Sequence, residues 1–183
     1  MRYENITKVA TALKEKFETR DPFKIASNLG ISYRFGNLVS LKGFYTVILR
    51  NRYIVINENL DEISSKIVCA HEIGHDRFHR KLGLKTFQEE SCVSFKTSIP
   101  EIEANCFSAQ LLINDEDFLS AANNGYTYDN LACELNVHVE LALIKAQILN
   151  SQGYNINIPY NPKSNYLATS HTAAEDISNY KTY

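Results

Sequence analysis

The stretch Cys69–Arg80, CAHEIGHDRFHR, contains three histidines at intervals of four residues: His71, His75 and His79. Four residues is about one turn of an α-helix, so on a helix the three side chains point in roughly the same direction. The surrounding segment 59–83 predicts such a helix, because its apolar residues recur at helical spacing. The stretch therefore raises the question of which histidines bind a metal ion and which residue completes the site.

Within this stretch, His71, Glu72 and His75 form an HExxH sequence. Two imidazoles at positions i and i+4 can bind one zinc ion, whose bound water has a pKa of about 7. The glutamate then lies beside the open coordination position, where it can accept a proton from water and later donate it to a leaving amine. The alternative is a pair of surface histidines without a metal. Gly74 in the middle of the helix costs about 1 kcal/mol relative to alanine, which indicates close packing there.

His79 does not fit as the third ligand of the same ion. It follows His71 by eight residues, and an unbroken helix would separate the two by about 12 Å. The HExxHxxGxxH arrangement breaks the helix at a glycine, and no glycine follows His75 at that position. We therefore predict that His79 lies at the rim of the site or behind its ligands, with plain helix surface as the alternative.

A later helix, predicted from about residue 99, contains EIEAN and can supply the third ligand. Glu101 and Asn105 are four residues apart and share a face of the helix. A carboxylate at Glu101 can bind the ion, and Asn105 can accept a hydrogen bond from the far nitrogen of a ligating histidine. Glu103 is the competing ligand, but it projects about 200° away from Glu101 around the helix axis. Both glutamates would also suit the positive end of the helix dipole without any metal.

The remaining pattern predicts an α+β fold, in which a small antiparallel sheet accompanies a bundle of helices. Segment 43–57 reads as a β-hairpin that turns at residues 50–52, and segment 31–41 can add a strand. Segment 127–150 predicts a helical hairpin. Residues 1–150 are predicted to form one domain, and residues 151–183 a polar C-terminal tail.

The charge, the apolar stretches and the cysteines of the sequence exclude some classes of function. The net charge of −2 gives no electrostatic reason to expect binding to nucleic acid or to an anionic membrane. The apolar residues of the helical hairpin have the spacing of a helix-turn-helix, but its second helix carries one lysine and no arginine. Contacts to phosphates need more positive charge than that, so we do not expect DNA binding. The absence of a signal peptide or membrane-spanning stretch predicts a cytoplasmic protein. Four cysteines without a CxxC pair predict free core thiols.

The stretch VCAHEIGHDRFH, followed after a loop by EIEANCFSAQLLI, resembles the ImmA/IrrE family of zinc metallopeptidases. The resemblance covers about residues 5–147, and the family's usual LLMP reads LLIN here. It implies a zincin-like domain related to the gluzincins, with His71, His75 and Glu101 as zinc ligands, Glu72 as general base and Asn105 behind a ligand. It also implies a cytoplasmic endopeptidase of mobile elements or phages that acts on a helix-turn-helix repressor.

The predicted function is therefore zinc-dependent hydrolysis of a peptide bond in a partner regulatory protein, which relieves repression. An extended substrate would lie along an exposed edge of the hairpin sheet. The alternative is an antagonist that keeps the zinc-binding fold but inactivates the repressor by contact alone. A third reading is a DNA-binding regulator with a structural metal. Candidates for stabilising the oxyanion are the tyrosines and His79, His138 and His171.

Overall fold

A computed structural model describes residues 2–83 and 99–162 of the chain. The described residues form an α+β fold, as the sequence predicted. Its elements are α1 (Arg2–Phe17), α2 (Pro22–Asn28), β1 (Ile31–Gly36), β2 (Gly43–Ile48), β3 (Asn51–Asn57), α3 (Glu62–Phe78), α4 (Arg80–Gly83), α5 (Ile99–Leu112), α6 (Asp115–Asn123), α7 (Tyr128–Glu134) and α8 (Val139–Ser151).

The helix that carries the HExxH sequence is α3, which is shorter than the predicted segment 59–83. Asp61 caps its start, where the carboxylate accepts a hydrogen bond from the Ser64 N–H at 2.8 Å. Such a cap satisfies a main-chain donor that has no partner in the first turn. At the other end, the backbone of His79 departs from helical geometry with φ −129°, and the short helix α4 follows separately.

The predicted β-hairpin is present as the antiparallel pair β2–β3. Its turn consists of Leu49 and Arg50, one position earlier than predicted, and both residues have positive φ, at 49° and 69°. Two such residues form the turn whose twist matches the strands, although glycine or asparagine is the usual choice. The pattern of β-branched and aromatic residues was therefore sufficient to predict the hairpin, although its turn contains no glycine.

The prediction of a wholly antiparallel sheet was wrong in one respect, because β1 pairs with β3 in parallel. The strand order is β1–β3–β2, so the chain must cross from one edge of the sheet to the other between β1 and β2. Leu38 on this crossing is buried with Phe44 and Val55 in a small apolar cluster. The hairpin pattern predicts only that β2 and β3 pair with each other. The position of β1 in the sheet depends on the burial of Leu38 in the connection that follows it.

The main core lies between the helices and one face of the sheet, with α3 packed against β2, β3 and α5. Helix α8 also packs against α5 and contributes Leu141, Ile148 and Leu149 to this core. Its Lys145 is fully buried, and the ammonium donates to the side chains of Gln110, at 2.6 Å, and Asp115. These bonds compensate the buried charge and join α8 to α5 and α6.

The predicted helical hairpin at 127–150 corresponds to α7 and α8. Beyond α8, the Ile156 main chain exchanges two hydrogen bonds with the Asn150 side chain, and the phenol of Tyr128 donates to the Asn157 carbonyl at 2.8 Å. The first residues of the predicted tail therefore lie against the helical hairpin. Residues 163–183 are outside the described part, and a domain boundary near residue 150 stays a prediction.

Among the described cysteines, Cys69 and Cys106 are buried free thiols, as predicted. Cys133 is also a free thiol, but it is exposed, so the prediction of a core position was wrong for this residue. Cys92 lies outside the described residues. Across residues 2–83 and 99–162, no helix combines the length and the apolar character needed to cross a membrane.

Candidate metal centre

The two histidines of the HExxH sequence present their Nε2 atoms to the same point. These atoms are 3.0 Å apart, and the two rings meet edge to face with centroids separated by 4.7 Å. The side chain of His71 is buried, and 16% of the His75 side chain is exposed. One turn of helix therefore produces the convergence that the sequence spacing predicted.

Glu101, in the first turn of α5, is the carboxylate that lies beside both histidines. Its two oxygens are each 3.3 Å from an Nε2 atom, one from that of His71 and the other from that of His75. In the described part of the chain, these three residues form the one cluster of potential metal-binding side chains with mutually close donor atoms. Glu103, the competing residue, lies against His79 instead.

The absence of a side chain at Gly74 allows α3 and α5 to approach closely. A Cβ atom at this position would lie 3.0 Å from the Cα of Ala104, and 3.3 Å from both its Cβ and its carbonyl oxygen. Ala104 follows Glu101 by less than one helical turn. The close packing that Gly74 suggested is therefore the contact that brings Glu101 to the histidines.

Asn105 fixes the orientation of His71 from behind. Its side-chain oxygen lies 2.8 Å from the His71 Nδ1, and Asn105 is 1% exposed. Because a carbonyl oxygen only accepts hydrogen bonds, Nδ1 carries the proton and the Nε2 lone pair is free to bind a metal. Two imidazoles and one carboxylate are also a donor set of catalytic zinc sites. The residues present therefore fit a zinc ion.

Glu72 is buried next to this cluster, on the side of α3 that faces β2. Burial raises the pKa of its carboxyl to about 7, opposed by the charge of His75 and by a hydrogen bond from the main-chain N–H of Tyr45. Burial also opposes ionisation of Glu101, but His71 and His75, when protonated, donate hydrogen bonds to its carboxylate and hold its pKa well below the usual range. The two neighbouring carboxyl groups therefore differ in their affinity for a proton.

His79 and Glu103 form a separate pair at the C-terminal end of α3. The His79 Nε2–H donates to Glu103 at 2.8 Å, and its ring centroid is 5.3 Å from that of His75. Burial lowers the pKa of His79, against the effect of the Glu103 carboxylate. The arrangement places His79 beside the cluster without a bond to its three donors, and its role in the site stays a prediction.

The other histidines named as candidates for the oxyanion lie elsewhere. The Nε2 of His138 is 3.0 Å from the Ser64 hydroxyl, in the first turn of α3. Ser64 precedes His71 by about two helical turns, so His138 is remote from the cluster. His171 is outside the described residues.

Two residues beside the site, Tyr45 and Asp76, were not predicted from the sequence. The main chain of Tyr45 contacts Glu72, and its phenol donates to the Asp76 carboxylate at 2.9 Å. Asp76 directly follows the second histidine and is four residues after Glu72, so its position on the same face was readable from the sequence. No pattern in the sequence indicates the approach of Tyr45.

Two histidines of an HExxH helix and a glutamate from the next long helix define a site of the zincin-like metallopeptidase class. The model of the Peptidase M78 family, described as the IrrE N-terminal-like domain, matches residues 31–147, which is more than half of the chain. The chain therefore belongs to this family, as its resemblance to ImmA/IrrE-type peptidases predicted. It is also similar to the uncharacterized immunity region protein 2 of Bacillus phage phi105, with 34% identity over 144 residues that cover 78% of this chain and 90% of the phage protein.

Proposed function

We propose that this protein is a cytoplasmic zinc endopeptidase that hydrolyses a peptide bond in a partner regulatory protein, namely a helix-turn-helix repressor. The observation that carries the proposal is the convergence of His71, His75 and Glu101 beside a buried Glu72. Membership in a peptidase family supports the reaction type. The repressor is implied by the resemblance to ImmA/IrrE-type peptidases, and a phage relative named for an immunity region agrees with that setting.

The proposed mechanism assigns the ligands to His71, His75 and Glu101. Zinc held by them would supply the Lewis acidity that activates a water and polarises a carbonyl. Glu72 accepts the proton of the attacking water and passes it to the nitrogen of the leaving amine. Asn105 keeps the His71 Nδ1 protonated, so that Nε2 is the ligating atom. The hydrogen bond from the Tyr45 N–H directs the Glu72 carboxylate toward β2.

The outer edge of β2 provides a place for an extended substrate. The Asn57 N–H donates to the Lys42 carbonyl at 2.9 Å, and the pairing alternates along an antiparallel ladder. The even-numbered residues of β2 therefore bond to β3, while the main-chain groups of Tyr45 and Val47 point away from it. Because the Tyr45 N–H bonds to Glu72, we propose that the substrate pairs with the Tyr45 carbonyl and with Val47 on this edge. Methylating single substrate amides should block cleavage at alternate positions, and uniform tolerance would contradict the pairing.

Zinc content is the direct test of the ligand set. We expect about one zinc ion per chain in the wild type purified without chelator, and a large loss in His71→Ala and Glu101→Gln. Glu103→Gln is the matched control, because it changes an equivalent carboxylate two residues away, and it should retain zinc. A wild-type protein without zinc would refute the site, and equal losses from both glutamate variants would refute the choice of Glu101.

Glu72→Gln separates cleavage from inactivation by contact. The variant keeps the shape of the side chain and should retain zinc, but it cannot accept the proton. We expect the wild type to cleave a helix-turn-helix regulator encoded beside its gene when both are co-expressed, and the variant to leave the regulator intact and repression in place. Relief of repression by Glu72→Gln would show that the protein acts as an antagonist and not through peptide hydrolysis.

A further inference from the structure

Tyr45 on the outer strand β2 is attached to α3 at two points. Its main-chain N–H donates to Glu72, and its phenol donates to Asp76 at 2.9 Å. Glu72 and Asp76 are four residues apart, so they lie on the same face of α3. Burial and the Asp76 carboxylate raise the pKa of the Tyr45 phenol, which keeps it protonated as a donor. Tyr45 therefore connects the proposed base to a second carboxylate through its own main chain and side chain.

Asp76 is itself held in a fixed position. It is 1% exposed, and its carboxylate accepts hydrogen bonds from Arg52, at 3.1 and 3.2 Å, and from Arg80 at 3.2 Å. The Arg52 guanidinium also donates to the carbonyl of Leu29 at the end of α2. A buried carboxylate with several charged donors is compensated and well ordered. The acceptor for the Tyr45 phenol is thus tied to α2, β3 and α4.

The close approach of β2 to α3 extends beyond Tyr45. A Cβ atom at Gly43 would lie 2.5 Å from the Val68 Cγ1 and 2.8 Å from the Val55 carbonyl oxygen. Val68 precedes Glu72 by four residues, so Val68, Glu72 and Asp76 form one row along α3. This row faces β2, while the neighbouring row with His71 faces α5. The strand proposed to bind substrate and the helix that holds the base are therefore in contact over two helical turns.

We propose that Tyr45 and Asp76 form a positioning pair that fixes β2 against α3 and so sets Glu72 relative to the bound substrate. The inference rests on the proposed peptidase function and adds two residues to it. Tyr45 and Asp76 are 5% and 1% exposed and their side chains bind each other, so we assign them a positioning role without contact to the reacting atoms. Their effect passes through the Tyr45 main chain, which contacts Glu72 on the edge where the substrate would pair. Since a displacement of about 1 Å at an active site can cost about 100-fold in rate, we expect a loss of about tenfold when the phenol is removed.

The test compares Tyr45→Phe with Tyr53→Phe, a matched control on β3 that removes the same atom from the same residue type. The first readout is hydrogen–deuterium exchange of the Tyr45 amide by NMR, which needs no substrate. We expect exchange at least about tenfold faster in Tyr45→Phe than in the wild type or in Tyr53→Phe, at equal zinc content. The second readout is kcat for cleavage of the regulator, which should fall about tenfold in Tyr45→Phe alone.

The two readouts separate this inference from the proposed function. Equal exchange of the Tyr45 amide in both variants, or accelerated exchange with unchanged kcat, would overturn the positioning role. A wild type that cleaves nothing would refute the peptidase function and with it the catalytic role of the pair, while the exchange result would still report the attachment of β2. If Tyr45→Phe does not fold, Asp76→Asn tests the same bond from the other side, because a neutral amide oxygen is a weaker acceptor for the phenol than a carboxylate, and faster exchange of the Tyr45 amide is again expected.

Discussion

Replacing Gly74 with alanine sets two opposing effects against each other. In a helix interior, the substitution would by itself stabilise the protein by about 1 kcal/mol. Here the added Cβ would lie 3.0 Å from the Ala104 Cα, where carbon atoms prefer about 3.5–4.0 Å. The nearest atoms belong to the main chain of α5 and cannot rotate away, and overpacking of this kind costs about 1–3 kcal/mol. We therefore expect a net destabilisation of about 1 kcal/mol.

The same substitution should weaken zinc binding. To relieve the contact, α5 must move away from α3 by about 0.5 Å. Glu101 lies on the same face of α5, less than one turn from Ala104, so it moves away from both histidines. We expect the zinc dissociation constant to rise at least about tenfold, which corresponds to about 1.4 kcal/mol. Urea unfolding of the zinc-free protein measures the first effect, and competition with a chromogenic chelator measures the second.

A second substitution provides the control for this prediction. Ala104→Gly in the Gly74→Ala background removes the contact with the Cβ, at 3.3 Å, but leaves the closer contact with the Cα. Partial recovery of both stability and zinc affinity is expected. A Gly74→Ala protein that is about 1 kcal/mol more stable than the wild type, with unchanged zinc affinity, would refute the proposed overpacking between α3 and α5.

Three further predictions concern the surroundings of the site and the core. Asn105→Ala removes the acceptor for the His71 Nδ1–H and should weaken zinc binding by about 10–100-fold in the chelator competition. Gly43→Ala would place a Cβ atom 2.8 Å from a main-chain oxygen and should destabilise the protein by about 1–3 kcal/mol in urea unfolding. Burial lowers the pKa of Lys145 to about 8, against about 10.4 in the unfolded chain. Above pH 8 the folded state therefore releases this proton first, and the stability of the wild type should rise between about pH 8 and pH 10 relative to Lys145→Met.

Each of these predictions has a contradicting outcome. Asn105→Asp restores an acceptor and should bind zinc about as well as the wild type, so equal loss in the aspartate and alanine variants would argue against the hydrogen bond. An unchanged urea midpoint for Gly43→Ala would mean that β2 shifts without cost. Parallel stability curves for the wild type and Lys145→Met would mean that the buried lysine keeps its ordinary pKa.

Local spacing in the sequence was enough to identify most of the candidate site. His71, Glu72 and His75 lie within about one turn of a single helix, so their relative directions follow from helix geometry alone. The same holds for Glu101 and Asn105 on α5, whereas Glu103 projects to another face of that helix and contacts His79. That the two helices would meet was suggested by Gly74 and by the family resemblance, but the close approach itself depends on the packing of α3 against Ala104.

The parts that the sequence did not determine are contacts between distant segments. The pairing of β1 with β3 depends on a crossing that buries Leu38, and no local pattern distinguishes it from an all-antiparallel sheet. Tyr45 reaches Asp76 because β2 lies against α3, although 31 residues separate the two in the chain. The sequence by itself thus determined the fold class and the directions of the candidate metal-binding side chains, since helical periodicity is a local property. Only the tertiary structure decided which strand faces Glu72, the proposed base, because that depends on how the sheet and the helices share one core.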